Sequence, residues 1–421
     1  MLTTENKQPF VIPPPPDAPQ LLRPDTKYTT RLYGSNPFDV AVSVTQHIYT
    51  AALPPDSPGI DDNVGDRPWG IVLVTPDDPV EAISATPLIH FPNDAPILFT
   101  EADHLPTVTR QEIQRLGPTG IDRAGGIHVI VVGRAATPPV LRELQNMGLR
   151  THAITAPDPF ELANRVDQYY GQIQNPDLGV PTMGNSGSTE GSGMMDVFIG
   201  SADDYAFALP VTHWVSHMPG GFFWVTRDNI PEPTIDALKR RMQHANIYLF
   251  GGPDQISPHV VRELSRFGMI GRVTNDDPVA FNKPPTDTAI DTCIAFAKMW
   301  DPAGGVGWNI TTPGHGFTLI RQDAWTSAVG SAILSHLGFH APLLMTDHAG
   351  KLPDSVEAYL KMVAPTFQVS PAQGPYNMTY VIGDYQNIAW KLQAHVDFLS
   401  VMANRRVVIQ NTGSLYSSNF G

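Results

Sequence analysis

The residues best suited to chemistry in this sequence are histidines and paired carboxylates. His213 and His217 stand four apart, as do His336 and His340, so each pair shares one face of a helix. Two imidazoles on one face begin a zinc site, which still needs a third ligand and, for catalysis, an open position. Neither pair encloses the glutamate that a metalloprotease uses as general base, so the expectation is no metal. Asp77-Asp78 and Asp203-Asp204 have the composition of an acid/base pair. Both pairs fall where an apolar run gives way to a helix-period stretch, however, and capping accounts for them. Glycines follow Val132, Phe250 and Ile382, a strand–turn–helix setting that can cradle phosphate. None of these turns carries Gly-x-Gly-x-x-Gly or a P-loop lysine. No Gly-x-Ser-x-Gly elbow or Ser-x-x-Lys is present. Cys293 lies in an apolar helix-period stretch and reads as a buried structural thiol. The sequence therefore assigns no catalytic residue and no cofactor, and predicts a protein that is not an enzyme.

The elements that hold these residues come in three copies. The first is Gly70-Ile-Val-Leu-Val-Thr, then a stretch from Glu81, then Pro96-Ile-Leu-Phe-Thr100. The second is Asp196-Val-Phe-Ile-Gly-Ser, then Asp204, then Phe222-Phe-Trp-Val-Thr226. The third is Phe317-Thr-Leu-Ile-Arg, then Asp323, then Pro342-Leu-Leu-Met-Thr346. Each copy continues with a helix-period stretch (108–116, 233–242, 353–362) and a second apolar run closing at Gly133, Gly251-Gly252 or Gly383. A further amphipathic stretch follows (138–147, 258–267, 386–398). Apolar runs without alternation suit strands buried on both faces, and helical stretches between them make βαβ crossovers and parallel sheets. Glu81, Asp204 and Asp323 open a helix in each copy, where a carboxylate offsets the positive end of the dipole. His90, His217 and His336 fall at the opposite end of that helix, where the dipole favours a partly protonated imidazole. Ser257 before Pro258 reads as an N-cap.

The boundaries drawn from this pattern are a proline-rich extended arm over 1–30, repeat 1 over 31–173, a Gly/Ser-rich linker over 174–195, repeat 2 over 196–300, repeat 3 over 301–403 and a C-terminal tail over 404–421. A formal net charge of −14 opposes nucleic acid and anionic membranes as partners. Lys239-Arg240-Arg241 is the nearest thing to a basic cluster, and it reads as cations complementing a helix C-terminus. No window approaches the roughly 18 apolar residues of a membrane span, and the first residues lack the pattern of a Sec signal peptide.

Taken together the copies resemble the cell-wall-binding type 2 repeat, a module found three times over in clostridial S-layer and other surface proteins. Arg31-Leu-Tyr-Gly34 matches the start of the family pattern, Glu81, Asp204 and Asp323 its central helix, the runs ending at Thr100, Thr226 and Thr346 its second strand, and Gly251-Gly252 its Gly-Gly close. Gly133 and Gly383 match that close in part. The resemblance spans about residues 31–403. It implies three Rossmann-like units in pseudo-threefold arrangement, a place outside the cell or at its surface, and attachment to anionic wall polymers. This chain departs from it in its acidic charge, in lacking a Sec signal peptide, which leaves cytoplasmic assembly open, and in carrying no effector domain.

The expectation is an α/β protein of three parallel-sheet repeats with extended N- and C-terminal arms, a non-enzymatic structural protein whose partner is itself in a filament, tube or surface layer. The second reading is an envelope module binding a wall polysaccharide. A third, an enzyme working in the crevices at the carboxyl ends of the strands, requires a deep pocket there with convergent polar groups.

Overall fold

The computed structural model describes residues 25–53, 66–174, 195–273, 288–337, 340–367 and 370–404. Most of the proline arm, nearly all of the Gly/Ser linker and the tail from 405 lie outside these residues.

Chain order gives β1 (Thr29–Leu32) and α1 (Pro37–Ile48), then the first repeated unit. Its sheet has the order β3-β2-β4-β5, all parallel, from β2 (Ile71–Val74), β3 (Ile97–Phe99), β4 (Val129–Val132) and β5 (Thr151–Ile154). The helices between them are α2 (Pro79–Ser84), α3 (Thr107–Leu116) and α4 (Pro138–Asn146), and α5 (Pro159–Gln174) leaves the unit. The second unit repeats this as β7-β6-β8-β9, from β6 (Asp196–Ser201), β7 (Gly221–Val225), β8 (Ala245–Leu249) and β9 (Gly268–Arg272). Its helices are α6 (Leu209–His217), α7 (Glu232–Lys239), α8 (Pro258–Leu264) and the outgoing α9 (Ala289–Lys298). The apolar runs form these sheets because both faces are covered: every residue of β2, β4, β6 and β7 is buried. Ser257 accepts from the Val260 N–H and caps α8.

The third unit departs from the boundaries drawn by sequence. It has β10 (Gly316–Arg321), α10 (Trp325–Ser331), α11 (Ile333–His336), β11 (Leu343–Thr346), α12 (Asp354–Met362), a short β12 (Thr366–Phe367), β13 (Met378–Ile382) and α13 (Trp390–Ser400). Its sheet order is β1-β13-β10-β11, so the fourth strand is β1, from the start of the chain. Thr29 pairs with Thr379 and Leu32 with Ile382. Residues 29–32 thus belong neither to a free arm nor to the first sheet. The strand that follows α13, β14 (Ala403–Asn404), pairs instead with β12.

The helix that follows each fourth strand covers the next unit. α5 packs on β7 and α7, α9 packs on β11 and α12, and α1 packs on β3 and α3. The ring closes, and the helices after each first strand meet at its centre: α6 touches the 3-10 helix Thr86–Ile89, α10 and α11. Trp224, fully buried in β7, donates its indole N–H to Ser84 Oγ of α2 at 2.8 Å.

Candidate functional site

Open α/β sheets bind ligands at the carboxyl ends of their strands, where the order reverses between the first and third strand. Each unit has that place, and each fills it with its own side chains. In the first, Asp78 caps α2 by accepting from the Val80 and Glu81 N–H groups. Glu81, buried in the first turn, reaches across so that its Oε1 accepts the Arg134 N–H at 2.7 Å. Gly133 has φ +60°, and a Cβ there would lie 2.1 Å from Glu81 Oε1, so the carboxylate occupies the cradle that the glycine creates. Burial raises the Glu81 carboxyl above its ordinary range, and the Arg134 N–H and guanidinium pull against that shift.

In the second unit Gln255 fills the cradle: its Oε1 accepts the Gly252 N–H at 3.0 Å and its Nε2 donates to Asp204 Oδ2 at 3.2 Å. A Cβ on Gly251 would lie 2.7 Å from that of Gln255. Asp204 stands at a kink inside the 3-10 turn 202–208 that leads into α6, with φ −147° and ψ 74°. In the third unit Asn387 packs on Gly383, and Asp384 Oδ1 accepts the Gln386 and Asn387 N–H groups at 2.9 Å each. Asp323 precedes α10 and pairs with Arg321. Thr100, Thr226 and Thr346 each donate to a carbonyl in the turn after the second strand, those of His104, Asn229 and Lys351. An incoming anion would meet carboxylate or amide oxygens in the first two crevices.

Behind the third crevice lies Arg31, named above only as the start of the family pattern. Arg31 of β1 is fully buried and donates to the carbonyls of Gly383 and Asp384 at 2.9 Å, of Ile388 at 2.7 Å and to Gln393 Oε1 at 2.9 Å. Arg272 of β9 repeats this in the second unit, donating to Gly251 O and Ile256 O. The shared signal was Arg followed by an aliphatic residue, Arg31-Leu32 and Arg272-Val273.

The second assembled feature is the ring's axis, where the histidines meet. His90, His217 and His336 end equivalent helices, and the His90 and His336 rings lie 5.1 Å apart, His217 and His340 5.0 Å. His90 reaches the backbone of His217, His217 that of Ser335, and His336 Nε2 meets Asp94 Oδ1 at 2.6 Å. Each unit therefore hands an imidazole to the next. His213, fully buried, meets Ser335 Oγ at 2.7 Å. Among the described residues no group of three His, Cys, Asp or Glu side chains is placed to hold a metal.

The dipole expectation for these histidines is overturned for His90 and His217. Burial, the largest cause, lowers His90 to about 3 and His213 and His217 to about 4. Desolvation inside a packed axis outweighs half a unit charge at a helix end. Folded, these rings bind fewer protons than an unfolded histidine titrating near 6.5. Their contribution is therefore fully present above about pH 6.5 and falls as pH drops, on the order of 2 kcal/mol each at pH 5. Asp196, raised to about 7 chiefly by burial and also by Asp301, acts in the opposite sense and recovers part of that loss. Urea unfolding followed from pH 8 to pH 4 should show stability falling below about pH 6.5. His213→Gln should flatten the slope.

Lys239-Arg240-Arg241 also does more than its sequence reading. Arg241 is buried and forks onto Asp167 of α5 at 2.6 and 3.0 Å, and Arg240 joins the same carboxylate at 2.7 Å. The pair is a clamp between units, and Arg241 also donates to the Ala237 carbonyl at the end of α7 at 2.9 Å, so the helix-end role is kept beside the clamp. Cys293 is buried, and burial pushes its thiol well above the ordinary range, which leaves it unreactive.

The fold and site define a closed ring of three doubly wound α/β units with self-filled crevices. Among solved structures the chain is similar to Cwp6 from Clostridium difficile, with a TM-score of 0.60 and 17% identity over 87% of this chain and 48% of that one. It is also similar to Cwp8 from Clostridium difficile, with a TM-score of 0.61 and 14% identity over 89% of this chain and 52% of that one. Both are cell-wall proteins, and this chain spans about half the length of each. No protein-family model and no curated protein matches the chain. Among the described residues no helix is long and apolar enough to cross a membrane.

Proposed function

We propose that this chain is a non-enzymatic structural protein of the cell surface that associates with copies of itself. The observation that carries the reading is the filling of all three strand-end crevices by Glu81, Gln255 and Asn387. A Rossmann-like unit that closes its own ligand site has given up the place where such folds do chemistry. What it retains is a rigid body and its outer surface. The likeness to two cell-wall proteins supports a surface location. Purified full-length chain viewed by negative-stain microscopy should form filaments, tubes or sheets at micromolar concentration. Particles of a single ring-shaped body at every concentration would refute the assembly.

The same likeness favours a second reading, a module that binds a wall polysaccharide. It expects the chain to co-sediment with purified cell walls and to be released by salt. With a net charge of −14, an anionic polymer would bind only at a local positive groove, and a supernatant that retains the protein counts against it.

A further inference from the structure

The two outer helices of each unit face each other through the same two positions. One lies four residues past the N-caps Pro106, Pro231 and Pro353 of α3, α7 and α12, which puts Arg110, Ile235 and Glu357 there. The other lies six residues past the N-caps Thr137, Ser257 and Ala389 of α4, α8 and α13, which puts Glu143, Glu263 and His395 there. In the first unit the pair is closed. Arg110 donates to Glu143 Oε2 at 2.6 Å and to the Leu105 carbonyl at 3.2 Å, and Glu143 Oε1 accepts the Leu105 N–H at 3.3 Å. In the third, His395 Nε2 stands 3.9 Å from Glu357 Oε1, which also accepts from Lys361.

The second unit leaves the same place open. Ile235 stands where Arg110 does and offers Glu263 no donor. Between α7 and α8 lies a groove of about 430 Å³, walled by Ile230, Ile235, Val260 and Phe267, with the carboxylates of Glu263 and Asp228 among them. Leu105 and Leu352, one residue before the N-cap in the closed units, are each 1% exposed, whereas their counterpart Ile230 is only half-buried. Glu263 turns instead to Arg266, itself 70% exposed, and a surface pair of that kind holds weakly. Apolar walls beside a carboxylate suit an arginine, which lays its stem on carbon and carries its charge at the tip.

We propose that the groove between α7 and α8 receives Arg142 of a second copy of this chain, in the role that Arg110 plays within the first unit. The first unit shows which side chain completes this pair of positions. The donor must be an arginine that its own chain leaves unengaged. Among the described residues the exposed arginines of that kind are Arg142 and Arg262, at matching places on α4 and α8. Arg262 borders the groove itself, so its use would set α8 against α8, with Arg262 and Arg266 facing their own copies. Like charges across a contact are unfavourable. Arg142 instead joins the first unit of one copy to the second unit of the next. Such a head-to-tail contact repeats into a filament or closes into a ring, so it rests on the self-association proposed above.

Sedimentation velocity and melting temperature, measured on full-length chains, test the contact. Ile235→Arg fills the groove from within. It should melt no lower than the parent and need at least about tenfold more protein to assemble. Arg142→Glu and Glu263→Arg should each raise that concentration by a similar factor. The two together should restore assembly, because the pair is rebuilt with its charges exchanged. Arg262→Ala should assemble as the parent does. Assembly of Ile235→Arg at the parental concentration, or a fall in its melting temperature, overturns the groove as an arginine site and leaves self-association standing. Failure of the double reversal to assemble, or loss of assembly in Arg262→Ala, overturns Arg142 as the occupant. A parent chain that stays monomeric at every concentration overturns both readings.

Discussion

Removing residues 1–34 should unfold the third unit, at the far end of the sequence, and leave the second largely intact. The deleted segment includes β1, which pairs with β13 from Thr29↔Thr379 to Leu32↔Ile382, and the buried Arg31. Without the arginine the carbonyls of Gly383, Asp384 and Ile388 lose their donor. Each buried acceptor left unsatisfied costs about 1–3 kcal/mol, and β13 becomes an uncovered edge. Asp397 loses its partners as well, since it accepts from the Tyr28 N–H at 2.8 Å. Hydrogen exchange is the measurement: protection should vanish from β13, β10 and α13 while β6 and β8 keep theirs. Loss confined to the first unit would show that β1 belongs where the sequence order puts it. Arg31→Ala in the full chain should reproduce most of the effect, lowering stability by about 4 kcal/mol.

The second large effect is at the boundary between the first two units. Asp167 lies on α5, and both Arg240 and Arg241 close on it in a site where the carboxylate is only 7% exposed. Burial disfavours its charge, but Arg241 and Arg240 more than offset this and hold the carboxyl below its ordinary range. A depressed carboxylate stabilises above the unfolded value, near 3.9, and that share is lost as pH falls through the folded value. Asp167→Ala leaves two guanidiniums without their counter-charge in a buried boundary and should cost about 3–5 kcal/mol, read as a fall in the denaturation midpoint. Asp167→Ala combined with Arg241→Met should recover part of the loss, because a buried charge without a partner is worse than an apolar side chain of similar reach. If Asp167→Ala alone were neutral, the boundary would not depend on the clamp.

The repeated architecture was legible in the sequence because it was written three times: runs such as Ile71–Val74 and Gly221–Val225 are apolar on both faces. The destination of β1 was not. The sequence places Thr29 and Thr30 in the extended arm and Arg31-Leu32 at the start of the first repeat; extended backbone carries no address, and pairing partners are set by what tertiary packing leaves open. The only address was the Arg-aliphatic pair shared with Arg272-Val273. The clamp made by Arg240 and Arg241 was missed for a related reason. A cation at a helix end has a local explanation, and only the approach of α5 reveals that Asp167 is waiting. The histidines were seen to share a helix position, but that three helix ends converge, and bury their rings deeply enough to keep His90 and His217 neutral, depends on closure of the ring.

Closure by β1 also sets a timetable. Thr379, the partner of Thr29, leaves the ribosome 350 residues after it (379 − 29). At about 5–20 residues per second, that interval is roughly 20–70 s. Through that interval Arg31 lacks the carbonyls it binds in the finished ring, while α1, capped by Asn36, has β3 and α3 of the first unit to pack on. β1 is therefore made long before it finds its place, and the ring cannot be finished before β13 is made.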